Sequence, residues 1–195
     1  SSSVAIRQNV LRHLPALLHR CGASMRSSFE PIVPHLAERL VDADAGVRTL
    51  AARALLELLT VVRASLVVPA LLSRAVILKS VRVREAVLTL LAHALHQRDP
   101  PPGEELPAAC CKEMATLLRQ MDDAVSPHAQ AALLLAQELH VLSPAAVRNA
   151  VASSATQPGV PRGAARHVHA RIDEVERGVA PALPPLHVAY PPPPP

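Results

Sequence analysis

Apolar residues recur at helical spacing in two segments of this chain that match one another. Val47 to Leu59 read VRTLAARALLELL, where Val47, Leu50, Ala51, Ala54, Leu55 and Leu58 follow an i, i+3, i+4, i+7, i+8, i+11 pattern. Val83 to Leu95 read VREAVLTLLAHAL, with Val83, Ala86, Val87, Leu90, Leu91 and Ala94 in the same places 36 residues later. A stripe with that period lies on one side of the backbone only when the backbone is wound as an α-helix. Both segments are therefore predicted as amphipathic helices, each opening on a Val-Arg pair.

The residues in front of these helices repeat as well. Ile32-Val33-Pro34 with Leu36 and Arg39 corresponds to Val67-Val68-Pro69 with Leu71 and Arg74. The proline is expected in the first turns of a helix, where its missing N–H is not needed. The unit is thus helix, short turn, Val-Arg, helix, and a period of about 35 to 45 residues in this arrangement points to an α-solenoid. A third unit has a first helix predicted over Leu106 to Met121, a turn over Asp122 to Ser126 and a second helix over Pro127 to Leu139. Shifted by 44 residues, its Val-Arg positions hold Pro127 and His128, and its core positions include Gln130 and Glu138. Such decay suits a terminal repeat whose outer face meets water.

The flanks carry less signal. Val4 to Arg20, with Ile6, Val10, Leu14, Leu17 and Leu18, is predicted as an opening helix kinked near Pro15. Arg98 to Glu104 is a Pro-Gly loop, and Ser143-Pro144 starts a short helix ending near Ser154. The expected organisation is a helical solenoid over 1–155 and a Pro-rich, disordered tail over 156–195, with a short helix allowed at 162–177.

Composition sharpens this picture. Half of the 195 residues are apolar, yet there is no Trp, one Tyr and one Phe, so Leu, Ala and Val must fill the interior. That favours an all-α fold over a sheet. The net charge of +4 is too slight for the basic stripe of a nucleic-acid binder, and no stretch reads as a membrane span. Neither nucleic acid nor membrane is an expected partner. Three cysteines, two of them adjacent at Cys110-Cys111, make no disulfide framework and imply a reducing, cytoplasmic setting. The absence of an initiator Met suggests a piece of a longer chain.

Candidate chemistry is sparse. His93 with His96 and His167 with His169 lack any further ligands at metal-site spacing, and no nucleophile or phosphate-loop motif occurs. No cofactor, metal site or enzymatic activity is expected. The turns are more informative, because in a helix–turn–helix array they line one edge. Asp42 and Asp44 lie in the first, Lys79, Ser80 and Arg82 in the second, and Asp122 and Asp123 in the third. Arg48 and Arg84 are expected to form a structural ladder with acidic residues of neighbouring turns, Asp42 or Asp44 with Arg84 being one rung. Lys79, Ser80 and Arg82 have no such task and are the candidate protein contacts.

The string FEPIVPHLAERLVDADAGVRTLAARALLELL resembles a HEAT repeat, and LKSVRVREAVLTLLAHAL resembles the turn and second helix of TOG domains of the CLASP type. The resemblance covers roughly residues 4 to 141. It departs from the family in having no Trp and a degenerate third unit. It implies a HEAT-repeat paddle of a microtubule-associated, cytoskeletal protein that binds tubulin through its edge of turns. The alternative is a general HEAT scaffold that binds another protein or a peptide.

Overall fold

A computed structural model describes residues 2–21, 24, 29–77, 80–96, 105–123 and 125–183. The described residues form ten helices and no strand: α1 (Ser2–Cys21), α2 (Ile32–Arg39), α3 (Ala45–Val61), α4 (Ala64–Ile77), α5 (Val81–His96), α6 (Glu105–Lys112), α7 (Met114–Leu118), α8 (Pro127–Leu142), α9 (Pro144–Ser154) and α10 (Ala164–Glu176). The all-α expectation therefore holds.

Helix starts follow from local chemistry. Asp44 sits in extended backbone, and its carboxylate accepts the Val47 N–H, satisfying a donor that the first turn of α3 leaves unpaired. Pro34 falls in the first turn of α2 as expected, whereas Pro69 lies deeper in α4, which starts already at Ala64. The single helix expected over Leu106 to Met121 is broken into α6 and α7. At Glu113 the backbone leaves helical geometry with ψ near 14°, and the Glu113 carboxylate accepts a hydrogen bond from the Thr116 hydroxyl at 3.1 Å.

The helices pack in pairs. Successive helices meet at α2–α3, α4–α5 and α8–α9, and α9 also touches α10. Further contacts run between α2 and α4, α4 and α6, and α6 and α9, and between α1 and α3, α5 and α8, and α8 and α10. Leu55, Leu58, Leu71, Leu90 and Leu91 lie in one continuous apolar core. The helix α5 is buried beyond its predicted stripe, since Leu88, Ala92 and Leu95 are covered too.

Two expectations about the third unit need correcting. Its second helix does not turn an outer face to water: α8 is contacted by α5, α6, α9 and α10, and Gln137, Glu138 and His140 are buried. The degeneracy is partly one of register. The carbonyls of Asp44, Ser80 and Ser126 accept the N–H of Arg48, Arg84 and Gln130, at 3.1, 3.2 and 3.0 Å. The counterpart of Val-Arg in α8 is therefore Ala129-Gln130, not Pro127-His128.

The packed body also runs past residue 155. The helix allowed at 162–177 is α10, and it buries Ala164, Val168 and Ile172. Gly178, with φ +72°, ends it: its N–H bonds to the Val175 carbonyl and that of Val179 to the Glu174 carbonyl. This closure needs a left-handed residue that glycine supplies without strain. Gln137 of α8 then donates to the Pro181 carbonyl at 3.2 Å, tying down the segment after α10. Residues 184–195 of the expected tail lie outside the described residues.

Candidate functional site: the turns that open the second helices

The first turn, between α2 and α3, is built from internally satisfied charges. Asp42 accepts from Arg39 Nη1 at 3.0 Å and from the Asp44 N–H at 3.1 Å, and it lies 3.5 Å from Arg7 Nε of α1. Its side chain is only 5% exposed. The Asp44 N–H holds the Asp42 carboxyl below the usual carboxylate range, and Arg39 and Arg7 add to this against the opposing effect of burial. Asp44 is held low as well, first by the Gln8 amide at 2.8 Å and then by the Val47 N–H. Gly46 makes room for that amide, since a Cβ there would stand 2.7 Å from Gln8 Nε2.

The ladder expected from Arg48 and Arg84 takes a different form. Arg48 turns back on its own turn and donates to the carbonyls of Asp42 at 2.8 Å and Ala43 at 3.0 Å. Arg84 reaches forward to the next unit and donates to Gln120 Oε1 at 3.2 Å, so the rung from Asp42 or Asp44 to Arg84 is not formed. Asp42 is engaged instead by the Asp44 N–H, Arg39 and Arg7, and Asp44 by Gln8 and the Val47 N–H.

The second turn, between α4 and α5, contrasts with the first. Ser80, Val81 and Arg82 are all exposed. Ser80 contributes its carbonyl to the start of α5. Arg82 forms no hydrogen bond or ion pair with the described residues, while Arg84, two positions on, turns inward. Lys79 lies outside the described residues. The third turn exposes Asp122, Asp123 and Val125, and Val41 of the first turn is also open.

The remaining chemistry-bearing residues are placed apart. His93 is buried whereas His96 is exposed beside Glu138, and both His167 and His169 face solvent. No group of three or more His, Cys, Asp or Glu able to hold a metal ion occurs among the described residues. Burial pushes the Cys110 thiol far up, and Cys111 less so, which keeps both protonated near neutrality. No helix among the described residues is long and apolar enough to cross a membrane.

One feature lies outside the candidate residues read from the sequence. Ile6, Val10 and Leu17, taken there as part of an opening helix, are exposed, and the first two line a cleft of about 530 Å³ between α1 and α2. The signal was present as a second apolar stripe on α1, separate from the Leu11, Pro15, Leu18 face that is buried. Comparison with models of known protein families finds none that matches the chain, and comparison with curated proteins likewise finds no match.

Proposed function

We propose that the chain is a HEAT-type helical array of the TOG kind that binds tubulin through its edge of turns. Two features support the array. Side-chain bonds between distant helices span close to one repeat: 36 residues at Gln8–Asp44 and Arg84–Gln120, 38 at His19–Glu57, and 42 at His96–Glu138. Contacts that skip one helix along the chain, as in α2–α4 and α1–α3, are those of units stacked on their neighbours.

The observation that carries the binding reading is the exposed Arg82, which forms no hydrogen bond or ion pair with the described residues, whereas Arg48 and Arg84 are both engaged within the fold. An exposed guanidinium with no partner among the described residues can take a carboxylate of an acidic partner surface, and tubulin presents such a surface. Ser80 and Val81 flank it with a hydroxyl and an apolar contact. The contact is centred on the second turn, with Lys79 beside it in sequence, and the acidic third turn lies at its margin. Function is then binding without chemistry, with the packed helices holding the turns in place so that little ordering cost falls on association. Size exclusion of the chain with free tubulin, alongside co-sedimentation with polymerised microtubules, tests this. Salt-sensitive co-elution supports it, and separate elution at low salt refutes it.

A further inference from the structure

The first helix, α1, has two apolar faces. One holds Leu11, Pro15 and Leu18, all buried, and α1 packs on α3. The other runs Ile6, Val10, Leu14, Leu17 along the helix, with Ile6 64%, Val10 61% and Leu17 54% exposed. Ile6, Val10 and Leu14 form one wall of the α1–α2 cleft, and Ile32 and Leu36 form the other. At the opposite end of the packing, α10 has a single apolar face and turns Arg166, His167, His169 and Asp173 to solvent. The helix α10 thus buries its one apolar face, whereas α1 buries one of its two and leaves the other exposed among the described residues.

The shape of the opening is that of a helix seat. The helices α3 and α5 each lie against the helix before them, α2 and α4. A helix laid along the cleft would meet α1 and α2 together, as α2 itself meets α3 and α4.

Charge selects the occupant. Among the described residues, Arg7, His35 and Arg39 line the cleft and no carboxylate does. Asp42 is shared by Arg7 and Arg39, so two guanidiniums face one carboxylate at that end. The whole of α1 carries Arg7, Arg12 and Arg20 and no acidic residue. A second copy docked face to face would set these cations against one another. We infer that the α1–α2 cleft is the seat of an amphipathic helix of a partner protein, one whose apolar stripe is flanked by Asp and Glu. This does not depend on the tubulin reading, because it uses a different surface.

The test uses two labelled model helices of about 15 residues with the same Leu stripe, one flanked by Glu and one by Lys. Titrated with the whole chain, the Glu peptide is expected to bind about tenfold more tightly or better, with the difference shrinking as salt rises. Ile6→Asp and Val10→Asp are expected to remove Glu-peptide binding with an unchanged circular dichroism spectrum, since both side chains are already exposed. Equal affinity for the two peptides would overturn the charge argument, and undiminished binding by Ile6→Asp would place the peptide elsewhere. A concentration-dependent dimer abolished by Ile6→Asp would make a second copy the occupant and overturn the proposal. The peptide comparison stands even if an aspartate variant fails to fold.

Discussion

Gln8 Nε2 donates to Asp44 Oδ1 at 2.8 Å, joining α1 to the residue that caps α3. The same carboxylate oxygen accepts the Val47 N–H at 2.9 Å, so one atom serves both the helix start and the docking of a distant helix. Gly46 is the steric condition for this arrangement. Its missing side chain leaves the space that the Gln8 amide fills. Gly46→Ala is therefore expected to lower the melting temperature of the parent, because the new methyl displaces the amide. In a Gln8→Ala background the same change should cost less, since the new methyl then meets only Asp44 Oδ1, at 3.1 Å, and gains helix propensity. A double-mutant cycle by thermal melting checks the sign of the coupling.

The two aspartates of this turn make stability depend on acid. Both have folded-state pKa values lowered from 3.8, Asp42 chiefly through the Asp44 N–H and Asp44 chiefly through Gln8. A carboxyl depressed on folding contributes stability that is fully present above its unfolded pKa and is lost as pH falls through the folded value. The parent is expected to lose melting temperature as pH drops below 3.8. Asp42→Asn should be less stable near neutrality and show a shallower acid limb. Parallel acid limbs in the two proteins would show that Asp42 is not the group responsible.

Core positions give the largest expected effects. Leu55 and Leu90 are completely buried. Leu→Ala at either is expected to cost about 2–5 kcal/mol by chemical denaturation, combining lost transfer energy with a residual cavity. A cost of a few tenths would contradict the packing described.

Much of this fold is legible in the sequence, and the exceptions have physical causes. The stripe on α3 is readable because that helix is buried along one side, the stripe on α5 stands out although the second half of that helix is covered all round, and Ser143-Pro144 marks the start of α9 through its N-terminal chemistry. The third unit is harder to read. Its polar residues Gln137, Glu138 and His140 are buried, so hydrophobic patterning alone misassigns that face. The docking of α10 is masked by its charged outer side and by the prolines that follow, although Gly178 is a stop signal of the expected kind. At the site, the exposure of Arg82 follows from the sequence reading. The partners of Arg48 and Arg84 do not, because spacing gives no information on which carbonyl or amide a long guanidinium reaches.

The docked α10 decides what a truncation after residue 155 should do. Ile172 is buried at 1% exposure in contact with the main core. Removing residues 156–195 is expected to lower the melting temperature, because it uncovers α8. Ile172→Ala alone should cost about 2–4 kcal/mol. A truncated chain that melts with the parent would show that α10 adds nothing to the packed body.

Glu138 supplies a further test of how α5 and α8 are joined. Its side chain is 8% exposed, and His96 Nδ1 lies 2.9 Å from its Oε2. Among the described residues the further polar contact to that carboxylate, from Gln137 Nε2, is long at 3.4 Å. His96→Ala should leave a nearly covered carboxylate poorly satisfied, at a cost of about 1–3 kcal/mol. Combining it with Glu138→Leu should recover part of the loss, which urea denaturation of the four proteins would reveal.

The tubulin reading is tested most directly by titrating labelled tubulin with the parent chain and with the Lys79→Glu, Arg82→Glu variant under the same low-salt conditions. Each lost charge contact is worth about 1 kcal/mol at a partly screened interface, and reversal adds repulsion to that loss. The account predicts salt-sensitive binding by the parent and none measurable by the variant, with matching circular dichroism and melting temperature. Binding of the variant as tight as that of the parent, or no binding by the parent itself, would contradict it.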